Sequence, residues 1–154
     1  MADTIQKRLA ALGVALPAAA APAGSYVPFA RSGKLVLTSG QLPISDGKLA
    51  VTGLLGRDLD VAAGKEAARL CAINVLAQFQ AATGDLEKIA RLVKITVFVA
   101  STPDFTEQHL VANGASDFLV EVLGEAGKHA RAAVGMASLP LNAAVEVEAI
   151  AELA

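Results

Sequence analysis

The chain has 154 residues, 54% of them apolar and 18% charged, which describes one globular domain with ample material for a core. A formal net charge of −2 and only 4% aromatic residues exclude the basic, stacking-rich surface that nucleic acid requires. The lone cysteine, Cys71, excludes an internal disulfide and a cysteine-rich zinc site, and no apolar run is long enough to span a membrane.

Asp3, Lys7 and Arg8 interrupt the Ala-rich start, so residues 1–22 do not read as a secretory leader and a cytoplasmic protein is expected. Helical spacing of Ile5, Leu9 and Leu12 predicts a short helix over Thr4 to Leu12, with Thr4 as N-cap and Gly13 as stop. Leu16 to Gly24 is Pro/Ala-rich and predicts an ordered extended connector, so residues 1–23 form an N-terminal helix and connector and 24–154 the domain proper. Tyr26 to Ala30 and Lys34 to Thr38 flank Arg31-Ser32-Gly33 as a hairpin. Ser39-Gly40-Gln41 ends that pattern, either as a plain turn or as a hydroxyl and a free amide offered to an anion. Pro43 to Gly56 reads as a loop with a short strand around Lys48 to Val51.

Val61 to Thr83 carries one helical stripe, Ala68, Cys71, Ala72, Val75, Leu76 and Phe79, between Asp60 and Gly84. Cys71 lies in that stripe and reads as a buried structural thiol rather than a nucleophile. Asp85 to Ala90 is a helical turn, and the β-branched run Leu92 to Ala100 a strand. Thr102-Pro103-Asp104 starts a helix running to Leu123, in which Asn113-Gly114 is locally unfavourable and implies a packing or functional demand. His129 to Leu153 reads as a hairpin: a run opened by Arg131, a connection over Leu139 to Asn142, and a second run from Val145 to Leu153. In the second run Val145, Val147, Ala149, Ala151 and Leu153 share one face, while Glu146, Glu148, Ile150 and Glu152 share the other. Arg131 then faces either a carboxylate on the neighbouring strand, as a cross-strand ion pair, or the carboxylate of a ligand. These elements define an α+β domain, a mixed sheet with both long helices on one face. The other face lacks a cover and is expected to close against further copies of the chain.

The ordered set Gly24-Ser25-Tyr26-Val27, Thr38-Ser39-Gly40-Gln41-Leu42-Pro43, Val93 to Val99, Arg131, Leu139-Pro140 and Val145 to Ala151 resembles the Rid/YjgF family of reactive intermediate deaminases over Gly24 to Leu153. The resemblance implies a chorismate-mutase-like fold, a homotrimer with a central barrel, and clefts between subunits. It also implies that Arg131 pairs with the carboxylate of a 2-imino or 2-enamino acid and that Glu146 handles the attacking water. Tyr26, Ser39 and Asn113 match further pocket residues. That chemistry needs a two-pronged cation and a carboxylate base but neither metal nor organic cofactor, and no metal-ligand spacing surrounds His109 or His129. Ala133 stands where many active members have a cysteine, and the longer N terminus with its His-Ala-Arg motif places the chain nearer a less characterised branch; His129 is left without a role.

The expected function is cofactor-free hydrolysis of 2-imino or 2-enamino acids to 2-keto acids and ammonia in an inter-subunit cleft. A non-catalytic trimer binding small carboxylates in the same cleft is the alternative. An endoribonuclease or translation inhibitor is the third reading, disfavoured by the acidic charge.

Overall fold

The computed structural model describes residues 3–154. Its elements are α1 (Ile5–Ala11), β1 (Phe29–Ser32), β2 (Leu35–Thr38), β3 (Ile44–Ser45), β4 (Lys48–Leu49), α2 (Val61–Thr83), β5 (Ile89–Ala100), α3 (Gln108–Leu123), β6 (Ala130–Met136) and β7 (Val145–Leu153). Five strands form one mixed sheet in the order β1-β2-β7-β5-β6, and β3 with β4 makes a small separate hairpin.

Local chemistry accounts for the helix ends. Thr4 Oγ1 accepts from the Lys7 amide, Asp60 Oδ1 accepts from the Ala63 amide, and α2 stops at Gly84 with φ 75°. The Val61–Thr83 helix has its expected bounds, whereas α3 begins at Gln108 rather than at Thr102. The reason is tertiary: the Ser101 amide donates to Met136 O and the Thr102 amide to Leu55 O, which keeps this stretch extended beyond the end of β5. Thr102 then closes only a single turn, its carbonyl accepting from the Phe105 amide, and the helix starts after Glu107.

The sheet corrects the expected C-terminal hairpin. β6 runs parallel to β5, pairing Ile95 with Arg131, while β7 runs antiparallel to β5 on its other side and also to β2. A connection containing the 3-10 turn Pro140–Asn142 therefore carries the chain past β5 instead of folding it back on β6. Arg131 consequently has no β7 carboxylate beside it, and the cross-strand ion pair is not formed.

One face of the sheet packs on the helices. Val36, Ile95, Val97, Val99, Val145, Val147, Ala149 and Ala151 point into a core with Val75, Leu76 and Phe79 of α2 and Val111, Leu119 and Val122 of α3. The thiol of Cys71 is fully buried there, 3.5 Å from Val145 O, and burial pushes it well above the ordinary thiol range. From α1, Ile5 and Leu9 enter the same core while Arg8 Nη1 donates to Val122 O at 3.1 Å, satisfying a carbonyl in the last turn of α3. The opposite sheet face carries Leu35, Leu37, Phe98, Val134, Glu146, Glu148 and Ile150 with no described helix packed on it, and Leu37 and Val134 are 37% and 40% exposed. No described helix is long and apolar enough to cross a membrane.

Gly114 explains the unfavourable Asn113-Gly114 pair, since a Cβ there would collide with the Lys65 carbonyl of α2. The two long helices therefore approach backbone to backbone, which only glycine permits. Gly114→Ala is expected to lower stability by about 2 kcal/mol and the thermal midpoint by roughly 4–8 °C. A thermal melt followed by circular dichroism checks this, and an unchanged midpoint would show that the helices separate freely.

Candidate functional site

The candidate residues fall into two groups on opposite faces of the sheet. On the open face, Glu146 pairs across from Phe98, and its neighbour Val147 exchanges two backbone hydrogen bonds with Gln41, at 2.8 and 3.0 Å. That bridge sets Gly40 directly against Glu146: a Cβ on Gly40 would overlap the Glu146 carboxylate, so the missing side chain makes room for it. The segment is anchored from α2. Asn74 Nδ2 donates to Leu42 O and Ile44 O at 2.9 and 3.0 Å, and the fully buried Gln78 donates to Ala20 O in the connector at 3.0 Å.

Ser39 Oγ donates to Val27 O at 2.7 Å, tying the turn to the approach of β1, and the exposed Tyr26 hydroxyl accepts from the Ala23 amide at 3.2 Å. Tyr26, Pro28, Ser39, Gly40, Gln41 and Leu141 line a hollow of about 150 Å³. Leu141 is 75% exposed and sits at φ 59°, a left-handed conformation that costs a bulky residue energy and marks the spot as constrained by its surroundings. A larger cleft of about 680 Å³ lies at the far end of β6, beside Gly135, Met136 and Gln108, and none of the candidate residues lines it.

Arg131 belongs to the other face. Its Nη1 donates to Asn113 Oδ1 at 2.9 Å and to Ser116 Oγ at 3.1 Å, and its Nη2 donates to the His109 carbonyl at 3.3 Å. All three acceptors belong to α3, where Asn113 and Ser116 stand three residues apart on one helical face. A guanidinium has five N–H donors, so Nε–H and one Nη2–H stay available to a ligand. Sequence reasoning placed Asn113 here but missed Ser116, which only the docking of α3 on β6 reveals. His129 enters the same cluster, with Nε2 2.9 Å from Ser116 Oγ and Nδ1 2.6 Å from Gly127 O.

Among the described residues no three His, Cys, Asp or Glu side chains come together in a group that could hold a metal ion. Chemically, one face offers a cation with two unused donors, and the other a carboxylate beside a glycine turn.

An α+β domain with these elements has known counterparts. The family profile described as "YjgF/chorismate_mutase-like, putative endoribonuclease" matches residues 6–153. The chain belongs to this YjgF/chorismate-mutase-like family and has its fold. It is 54% identical over 150 residues to Protein TCP17 of Trypanosoma cruzi, covering 97% of this chain and 94% of that protein. It is 35% identical over 138 residues to the 2-iminobutanoate/2-iminopropanoate deaminase of Salmonella typhimurium, covering 90% of this chain and 94% of that one. Among solved structures, an Agrobacterium tumefaciens protein of unknown function is 60% identical with a TM-score of 0.92, covering 97% of this chain and 92% of that chain. E. coli TdcF with bound serine is 28% identical with a TM-score of 0.65, covering 88% and 94%.

Glu146 is half-buried, and desolvation first, then the neighbouring Glu148, raise its pKa above the ordinary glutamate value. A carboxyl whose folded pKa is raised gives stability that is fully present below the unfolded pKa and is lost as pH rises through the folded one. Glu146→Gln removes the desolvated charge and is expected to raise the thermal midpoint at neutral pH by roughly 1–3 °C, with the gain vanishing near about pH 4. Melting curves at the two pH values decide this. A lower midpoint for the variant at neutral pH would mean that a cation compensates Glu146 in the assembled protein.

Proposed function

We propose that this protein hydrolyses 2-imino or 2-enamino acids to 2-keto acids and ammonia, in clefts that two neighbouring copies of the chain build together. The observation that carries the reading is the split site: Arg131, with two unused donors, and the half-buried Glu146 lie on opposite faces of the same sheet. One chain cannot place both on a small ligand; a second copy, packed on the open face with its apolar Leu37 and Val134, supplies the missing half. Cyclic closure of that contact in a homotrimer is the assembly proposed.

In this reading the two free N–H groups of Arg131 hold the substrate carboxylate as a fork, which fixes C2 of the imine. Glu146 of the neighbouring copy accepts a proton from water as the oxygen bonds to C2. The proton passes to the nitrogen and gives the carbinolamine; Glu146 then takes the carbinolamine hydroxyl proton as C2 becomes a carbonyl and hands it to the departing nitrogen, so the C–N bond breaks and ammonia leaves with the 2-keto acid behind. Its raised pKa makes Glu146 a stronger base than an ordinary glutamate. In this reading Tyr26, Ser39 and Asn113 border the cleft: the first two share a hollow with Gly40, which abuts Glu146, and Asn113 accepts from Arg131. No metal or organic cofactor takes part. The buried lone thiol fits a reducing, cytoplasmic location. Use of the same cleft for binding without catalysis is the alternative, consistent with the serine in the related TdcF structure.

Titration with 2-oxobutanoate and an assay of keto-acid release from imines separate the two. Arg131→Ala is expected to weaken 2-oxobutanoate about 100-fold, with little recovery in Arg131→Lys. Glu146→Gln should keep that affinity within a few-fold and lose roughly 10²- to 10⁴-fold of the hydrolysis. Full hydrolysis by Glu146→Gln would defeat the base role, and wild type that binds but hydrolyses no imine would favour the binding protein.

The shared cleft has its own test. When Arg131→Ala and Glu146→Gln chains are unfolded together and refolded in equal amounts, about a quarter of the clefts pair an intact Arg131 with an intact Glu146 in a cyclic trimer. About a quarter of wild-type hydrolysis should return, with a trimer in sedimentation equilibrium. No recovery, or a monomer at micromolar concentration, would overturn the assembly.

A further inference from the structure

One acceptor of Arg131 has a second partner, and with a neutral imidazole the valences along the resulting chain leave each group a single role. Ser116 Oγ lies 3.1 Å from Arg131 Nη1 and 2.9 Å from His129 Nε2, and His129 Nδ1 lies 2.6 Å from the Gly127 carbonyl oxygen. A carbonyl oxygen only accepts, so Nδ1 carries a proton. In the neutral ring Nε2 is then a lone pair, and Ser116 directs its one hydroxyl proton there. Oγ is left to face the guanidinium with lone pairs alone, which suits a group that has only donors. Gly127, His129, Ser116 and Arg131 form one directed relay of donors and acceptors.

We propose that His129 and Ser116 are positioning residues for the Arg131 guanidinium. Neutral His129, as the Nδ1–H tautomer, keeps the Ser116 proton turned away and so makes Oγ an obligate acceptor. Together with Asn113 Oδ1 it occupies both protons of Nη1, while the His109 carbonyl takes one proton of Nη2. The donors left, Nε–H and the second Nη2–H, are thereby aimed in one direction. Arg131 stands on an edge strand and has a long flexible stem, so without these acceptors its fork would sample many orientations and lose affinity to conformational entropy. This inference rests on the reading of Arg131 as the carboxylate anchor and adds two residues that touch neither ligand nor reacting atoms. It also gives the histidine of the His-Ala-Arg motif a physical task.

The relay is read first in the unliganded protein. Imidazole ¹⁵N shifts of neutral His129 should report the Nδ1–H tautomer, and Ser116→Ala should speed solvent exchange of the Arg131 Nη1 protons, one of which Ser116 Oγ holds, about tenfold. In ligand work, Ser116→Ala should weaken 2-oxobutanoate about tenfold, with the rise in KM exceeding the fall in kcat, and Ser116→Thr, which restores a hydroxyl, should return to within about threefold of wild type. His129→Phe should weaken binding too, but added to Ser116→Ala it should cost nothing further, because its effect passes through that hydroxyl. An Nε2–H tautomer, a threonine variant no better than alanine, or additive losses in the double variant would each overturn the relay. Wild type that binds no 2-keto acid would defeat the anchor reading instead, and the tautomer and the Nη1–H exchange would still decide the relay.

Discussion

The position of β7 is the constraint on which the site depends. The last strand of the chain lies between β2 and β5 and is hydrogen-bonded on both sides. Its alternation sends Val145, Val147, Ala149 and Ala151 into the core and Glu146 and Glu148 to the open face, so a one-residue slip would bury the carboxylates. The same insertion pushes β6 to the sheet edge, where Arg131 meets α3 rather than a neighbouring strand. Separation of cation and carboxylate is thus a consequence of strand order.

The helical layer holds the two halves of the site by different means. α2 fixes the carboxylate half through buried amides: Asn74 and Gln78 hold the 40–44 segment and the connector, and so place Gly40 against Glu146. α3 fixes the cationic half through Asn113, Ser116 and the His109 carbonyl. Its own seat depends on Gly114, where it meets the α2 backbone, so the residue that permits close helix packing adjoins one that binds the arginine. Such adjacency ties site geometry to core packing, and it explains a locally poor helix former in the middle of α3.

Charge is distributed in the same divided way. The open face gathers Glu146 and Glu148 beside exposed apolar side chains, an arrangement that raises the Glu146 pKa and leaves apolar surface without intrachain cover. On the other face the guanidinium is surrounded by neutral acceptors, so its charge is oriented without being neutralised. A ligand carboxylate would therefore meet an uncompensated cation.

Much was legible in the residues because the signals are local. Asp60 and Gly84 bound α2, Thr4 caps α1, and the period-two alternation of Val145 to Leu153 assigns Glu146 to the face opposite the core, since capping and pleat depend on neighbours a few residues away. The ordered motifs from Gly24 to Ala151 also sufficed to place the chain in its family. Strand order was not legible. A Pro-containing connection over Leu139 to Asn142 suits a hairpin as well as a passage beyond β5, and no short-range preference separates them. The later start of α3 was not legible either, since Ser101 and Thr102 pair with Met136 and Leu55 from far away in sequence and continue the path of β5. Ser116 and His129, 13 residues apart, meet only when α3 docks on β6. Periodicity determined which face each residue shows; the partner it meets there was decided by tertiary structure, because contacts between distant segments depend on how whole elements pack.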